Sequence, residues 1–204
     1  DPYRWLEGSA APELAAADPS LDAEVARWTD AQNAYTRAVL DALPGRAALG
    51  EELAELLSLD NWGTPQIGGE WLFYTLRSGG AAQPVLYVQR GAQGEPRMLL
   101  DVNALDAEGL LALDWYRPSL DGRYVAFGTS HAGDENTTLH VLETATGTWL
   151  EDEIPGRVDP VTWLADHEQF VVRRLSNPPD PYSGQIMLHR LGNAPADDAV
   201  LFEQ

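Results

Sequence analysis

The one place where a serine and a histidine are neighbours in this chain is Gly128-Thr129-Ser130-His131-Ala132-Gly133. A nucleophile elbow needs Gly-x-Ser-x-Gly on a strand-to-helix turn, so that the hydroxyl stands clear and backbone N–H groups face the oxyanion. Here the second glycine comes one residue late, and the segment leaves a strand for a loop rather than a helix. Adjacent residues on extended chain also point to opposite faces, which bars direct proton transfer from Ser130 to His131. The expected role of the segment is a polar loop at the end of a strand.

The remaining polar candidates are read structurally. His140 and His189 fall at comparable positions in neighbouring repeats and His167 falls in a turn, so the repeat does not supply the facing side chains a metal needs. Glu151-Asp152-Glu153 and Asp197-Asp198 lack the spacing of a calcium loop and read as a solvated acidic rim. Cysteine is absent, which removes disulfides, thiolate nucleophiles and thiolate-held metals together. No cofactor and no metal is expected.

Charge narrows the partners. Asp and Glu number 32 against 13 basic residues, all of them Arg, for a net charge of −19. A surface this acidic repels phosphate backbones and anionic headgroups, so neither nucleic acid nor membrane is an expected partner. With 204 residues, 44% hydrophobic and 22% charged, the chain is long enough and apolar enough to bury a core. No apolar run reaches the roughly 18 residues of a membrane-spanning helix, and the chain opens on Asp1-Pro2 rather than a basic and then apolar leader.

The elements that must position these residues change character near residue 63. Asp18-Pro19 reads as an N-cap followed by proline at the first helical position, and Leu21, Val25, Trp28, Tyr35 and Val39 recur at helical spacing up to Leu43-Pro44-Gly45. A second amphipathic stretch carries Leu49, Leu53, Leu56 and Leu57, and Asp60-Asn61-Trp62-Gly63 closes it with turn formers. Beyond Gly63 the chain repeats. GEWLFYTL from Gly69, GRYVAFGT from Gly122 and HEQFVVRR from His167 are alike and lie 53 and 45 residues apart. Each is followed by a second strand (from Val85, Thr138 and Ile186) and a third (from Pro96, Thr148 and Ala199). Runs containing Trp115 and Trp163 precede the second and third units. Four short antiparallel strands every 45 residues or so are the signature of β-propeller blades.

Several stretches, in order, resemble the prolyl oligopeptidase family of serine peptidases. They are DPYRWLE at Asp1–Glu7, AQN at Ala31–Asn33, QPVLYVQ from Gln83, LLDVNAL from Leu99, SLDGRYVAFGTSHAGDE from Ser119 and LHRLGNAPADDAVLFE from Leu188. The resemblance covers essentially the whole chain and implies a mainly β fold. Residues 1–62 would form a helical segment that packs on an α/β-hydrolase domain, and residues 63–204 a partial propeller with blades at about 63–105, 106–155 and 156–204. A family propeller has about seven blades and sits over the active site, limiting access to short peptides. The family's Ser, Asp and His lie in the hydrolase domain, which has no counterpart here, so no catalytic residue is expected in this chain.

On the substrate side the resemblance points to the strand from Phe170 to Arg174, which in the family faces the cavity. Phe170 and Arg174 are the candidate peptide contacts, with core packing the competing role for Phe170. Val171 and Val172 replace part of the family's aromatic run. The activity implied for the whole protein is hydrolysis of short proline-containing peptides after proline. Cleavage after basic residues, and a non-catalytic propeller that serves as an interaction module, are the alternatives. A cytoplasmic location is expected, with the periplasm as the alternative. Tyr3, Trp5 and Leu6 are expected to dock on a surface that lies outside this chain.

Overall fold

The computed structural model describes residues 1–10, 20–178 and 180–203. They form two compact units, Asp1–Leu57 and Ser58–Gln204.

The first unit is helical. A short 3-10 segment, Arg4–Ala10, precedes α1 (Leu21–Asp41) and α2 (Arg46–Leu57). Asp18 and Pro19 lie outside the described residues; Ser20 occupies the N-cap position, and Asp22 and Glu24 place negative charge in the first turn, where the helix dipole favours it. Asp22 also accepts a hydrogen bond from the Ser9 backbone N–H at 2.7 Å, which ties the N-terminal segment to the helix. Trp5 packs edge-on against Trp28 with ring centroids 6.1 Å apart, so one member of the N-terminal apolar cluster finds its partner within this unit. Tyr3 stays exposed. Gly45 turns the chain with φ 83° between the helices, a conformation that favours glycine.

The second unit is three antiparallel sheets in succession. The first contains β1 (Asn61–Trp62), β2 (Gln66–Gly68), β3 (Trp71–Arg77), β4 (Val85–Arg90) and β5 (Arg97–Asp101). A single turn of helix follows, α3 (Val102–Leu105), capped by the Asp101 side chain accepting from the Asn103 N–H at 2.9 Å. The second sheet contains β6 (Leu111–Pro118), β7 (Tyr124–His131), β8 (Thr138–Glu143) and β9 (Trp149–Ile154). The third contains β10 (Thr162–Trp163), β11 (Gln169–Leu175), β12 (Gly184–Arg190) and β13 (Ala199–Glu203). The last two are four-stranded in sequence order, whereas the first has five strands because β1 and β2 both pair with β3. Asn61 and Trp62, which read as part of a turn, pair with Arg77 and Leu76 and so belong to the first blade.

The repeat is visible in the register. Phe73 faces Val88, Phe127 faces His140 and Phe170 faces His189, each pair joining the second and third strands of its blade. All three phenylalanines are fully buried. Two cores result. One joins the first and second blades through Phe73, Leu86, Val88, Val125, Phe127 and Leu142. The other joins the second and third through Ala126, Leu139, Val141, Trp163, Phe170 and Val172. Successive residues of β7 thus feed opposite cores, as the period of two requires, and this central strand is buried from Val125 to Ser130. Backbone meets backbone where the first two blades touch: Gly69 N–H donates to Leu120 O at 2.8 Å, and a Cβ on Gly68 would sit 2.6 Å from Ser119 O. Only glycine permits that approach.

Candidate functional site

The Ser130 segment is built differently from the expected loop. Hydrogen bonding carries β7 through His131, so Ser130 is a strand residue and the turn begins only at Ala132 and Gly133, both at positive φ. Ser130 Oγ donates to Asp114 Oδ1 at 2.8 Å, and Thr137 Oγ1 donates to Asp114 Oδ2 at 2.7 Å. Asp114 lies at the register shift of β6 against β7, where a bulge aims its carboxylate at both hydroxyls. Among the described residues no histidine hydrogen-bonds Ser130, whose hydroxyl is engaged by the Asp114 carboxylate.

A polar hollow of about 290 Å³ beside it is lined by Ser130, His131, Asp134, Asn136, His140 and Glu153, among others. The backbone N–H of Asn136 holds Asp134 below the usual carboxylate range. Burial holds His140 below its ordinary value, which outweighs the opposing charge of Glu153 opposite it in the ladder. The His140 ring packs on Phe127 and Trp149 at 5.5 and 4.9 Å. Among the described residues no three His, Asp or Glu side chains are grouped to hold a metal.

The expected acidic rim does not hold for two of its members. Asp152 is 3% exposed and the Asp198 side chain 1%, and both hydrogen-bond the fully buried His189, Asp152 to Nε2 at 2.9 Å and Asp198 to Nδ1 at 2.7 Å. The strand's period of two sends Glu151 and Glu153 to solvent and turns Asp152 inward, so the three do not form one acidic block. The alternation was available in the sequence. Its pairing with His189, 37 residues away, was not.

Phe170 and Arg174 stand on one face of β11, with Val172 between them. Phe170 is 0% exposed, wedged against the Trp163 ring at 5.1 Å and the His189 ring at 5.0 Å. Its side chain has no open surface in this arrangement and acts on its surroundings through what it holds in place. Arg174 is half-buried, and its Nε is enclosed without a hydrogen-bond partner among the described residues. Its charge opposes the burial that raises the Asp198 pKa.

Three consecutive antiparallel sheets, packed face to face through two shared cores, define a β-propeller segment. The chain belongs to the family described as prolyl oligopeptidase, N-terminal beta-propeller domain, whose model matches residues 1–204. The Dual function macrocyclase-peptidase POPB of Amanita bisporigera is 26% identical over 98% of this chain and 30% of its own length. A prolyl endopeptidase of Elizabethkingia meningoseptica is 24% identical over 98% of this chain and 28% of its own. A solved structure from a study of two prolyl endopeptidases superimposes with a TM-score of 0.85 at 32% identity, covering 100% of this chain and 30% of that one. The chain thus spans about 30% of the length of the relatives it matches.

Proposed function

We propose that this chain is the N-terminal helical segment and first propeller blades of a serine peptidase that hydrolyses short peptides after proline, and that within that enzyme it scaffolds and gates access to the catalytic domain. The observation carrying this reading is the 32% identity and TM-score of 0.85 to a prolyl endopeptidase over the whole of this chain. Chemistry would proceed by serine attack, an acyl-enzyme and hydrolysis by water, on an α/β-hydrolase domain that supplies the Ser, His and Asp. The first unit is suited to pack on such a domain. Leu49, Leu53, Leu56 and Leu57 of α2 are 48–61% exposed, an apolar run that calls for a partner surface. Of the two candidate peptide contacts, Arg174 retains surface and Phe170 supports the strand that carries it.

The test is labelling with a fluorophosphonate, which reacts with an activated serine. The 204-residue chain is expected to take up no label and to hydrolyse no prolyl peptide. A longer protein carrying it is expected to be labelled at a serine outside these residues and to cleave short proline peptides faster than long polypeptides. Labelling within this chain, or equal rates on long and short substrates, would overturn the reading.

A further inference from the structure

From the placement of His189 between two buried carboxylates of different strands, we infer that Asp152, His189 and Asp198 form a proton-held clasp that joins the second and third blades and loosens as pH rises. It is a conformational device of the propeller and stands whether or not the peptidase reading holds.

The geometry requires the proton. Both imidazole nitrogens face carboxylate oxygens, Nε2 to Asp152 Oδ1 at 2.9 Å and Nδ1 to Asp198 Oδ1 at 2.7 Å. A neutral imidazole has one N–H and one lone pair, so it satisfies one of these contacts and meets the other only if that carboxyl carries the proton instead; either way the clasp needs one proton beyond the neutral ring and two carboxylates. Only the imidazolium donates to both. The ring is 0% exposed, so water cannot take the place of a lost donor without opening the structure.

The clasp spans blades. Asp152 comes from β9 of the second blade, His189 from β12 of the third, and Asp198 from the segment just before β13. Gly192 N–H also donates to Asp152 Oδ1 at 2.7 Å, adding a second tie between the same two blades. Among the described residues, Asp152 and Asp198 are the ionisable groups that face the ring. Arg174 of β11 and Asp197 act through Asp198, in opposite senses. Phe170 closes the remaining side.

The titration directions agree with this geometry. Burial pulls the His189 pKa down, but hydrogen bonds to Asp152 and Asp198 outweigh it and hold the pKa above the ordinary 6.5. For Asp152, burial raises the pKa, and the donors His189 and Gly192 more than offset it, leaving the group below 3.8. Among the described residues Asp198 has only His189 as donor and its Oδ2 is buried without a partner, so burial wins and its pKa stands above 3.8. A raised histidine pKa contributes stability that is complete below 6.5 and is lost as pH climbs through the folded-state value. Asp198 pulls the same way, because its protonated form is the one burial favours. Asp152 alone contributes in the other sense, its share being lost in acid below 3.8.

The experiment follows the ring nitrogens of His189 by ¹⁵N NMR with histidine-selective labelling in the longer protein carrying this chain, together with amide exchange of β9 and β12, as pH is raised from 6 to 10. His189→Gln assigns the signals, and Asp198→Asn, which shifts them, assigns them if the first variant does not fold. The expected result is an imidazolium that persists above pH 6.5 and loses its proton in the same step in which β9 and β12 amides lose protection. Asp198→Asn is expected to move that step to lower pH. A ring that is already neutral at pH 6.5, or amide protection that does not change across its titration, overturns the proposal.

Discussion

Replacing Phe170 with alanine separates the two roles open to that residue. The ring is 0% exposed and lies between Trp163 and His189 at centroid distances of 5.1 and 5.0 Å, inside the core joining the second and third blades. Truncating a buried phenylalanine costs about 3–5 kcal/mol in lost transfer energy and residual cavity. About 0.5–1.5 kcal/mol of that belongs to the edge-on contact with Trp163. A domain's whole stability is about 5–15 kcal/mol, so the variant gives up a large share of it. With a urea dependence of about 2 kcal/mol per molar, a loss of 4 kcal/mol brings the unfolding midpoint down by about 2 M. The assay is urea unfolding followed by tryptophan fluorescence, to which Trp163 at the site contributes as one of seven tryptophans. Phe170→Leu, closer in volume, is expected to lose about 1–2 kcal/mol. A Phe170→Ala variant that loses less than about 1 kcal/mol with an unchanged slope would show that the ring is not core and would return it to the cavity wall.

At Gly128, a Cβ would collide with the Trp115 indole, whose Nε1 donates to Val158 O at 3.2 Å, and with Thr137. Gly128→Ala is therefore expected to lower stability by about 1–3 kcal/mol, and an unchanged thermal midpoint would contradict this. Ser130→Ala in the longer protein is expected to leave turnover within about twofold, roughly 0.4 kcal/mol of barrier, because its hydroxyl is engaged by Asp114. A hundredfold loss with the fold intact by circular dichroism would refute that assignment. The 204-residue chain alone is expected to self-associate through its outer apolar surface, where Val200, Leu201 and Phe202 of β13 are 49–61% exposed. A sharp, reversible, monomeric unfolding transition at low concentration would rule this out.

What the sequence determined by itself is whatever depends on neighbours along the chain. The three alike strands now seen as β3, β7 and β11, their turns, and the two helices before them were legible because a period of two, a period of 3.6 and turn-forming residues are local properties. The absence of a nucleophile elbow at Ser130 was legible for the same reason. Asn61-Trp62 was not, since a two-residue strand becomes one only when β3 lies beside it. Tertiary structure alone decided the fate of the polar residues. Asp152 and Asp198 read as solvated charges, and cavity lining stood beside core packing as a role for Phe170. Which of these a side chain becomes depends on what the strands packed against it present, and for Asp152 that partner lies on the next blade, 37 residues away at His189. A buried charge is tolerated only where its counter-charge is built opposite, so its burial can be read only once the blades are stacked.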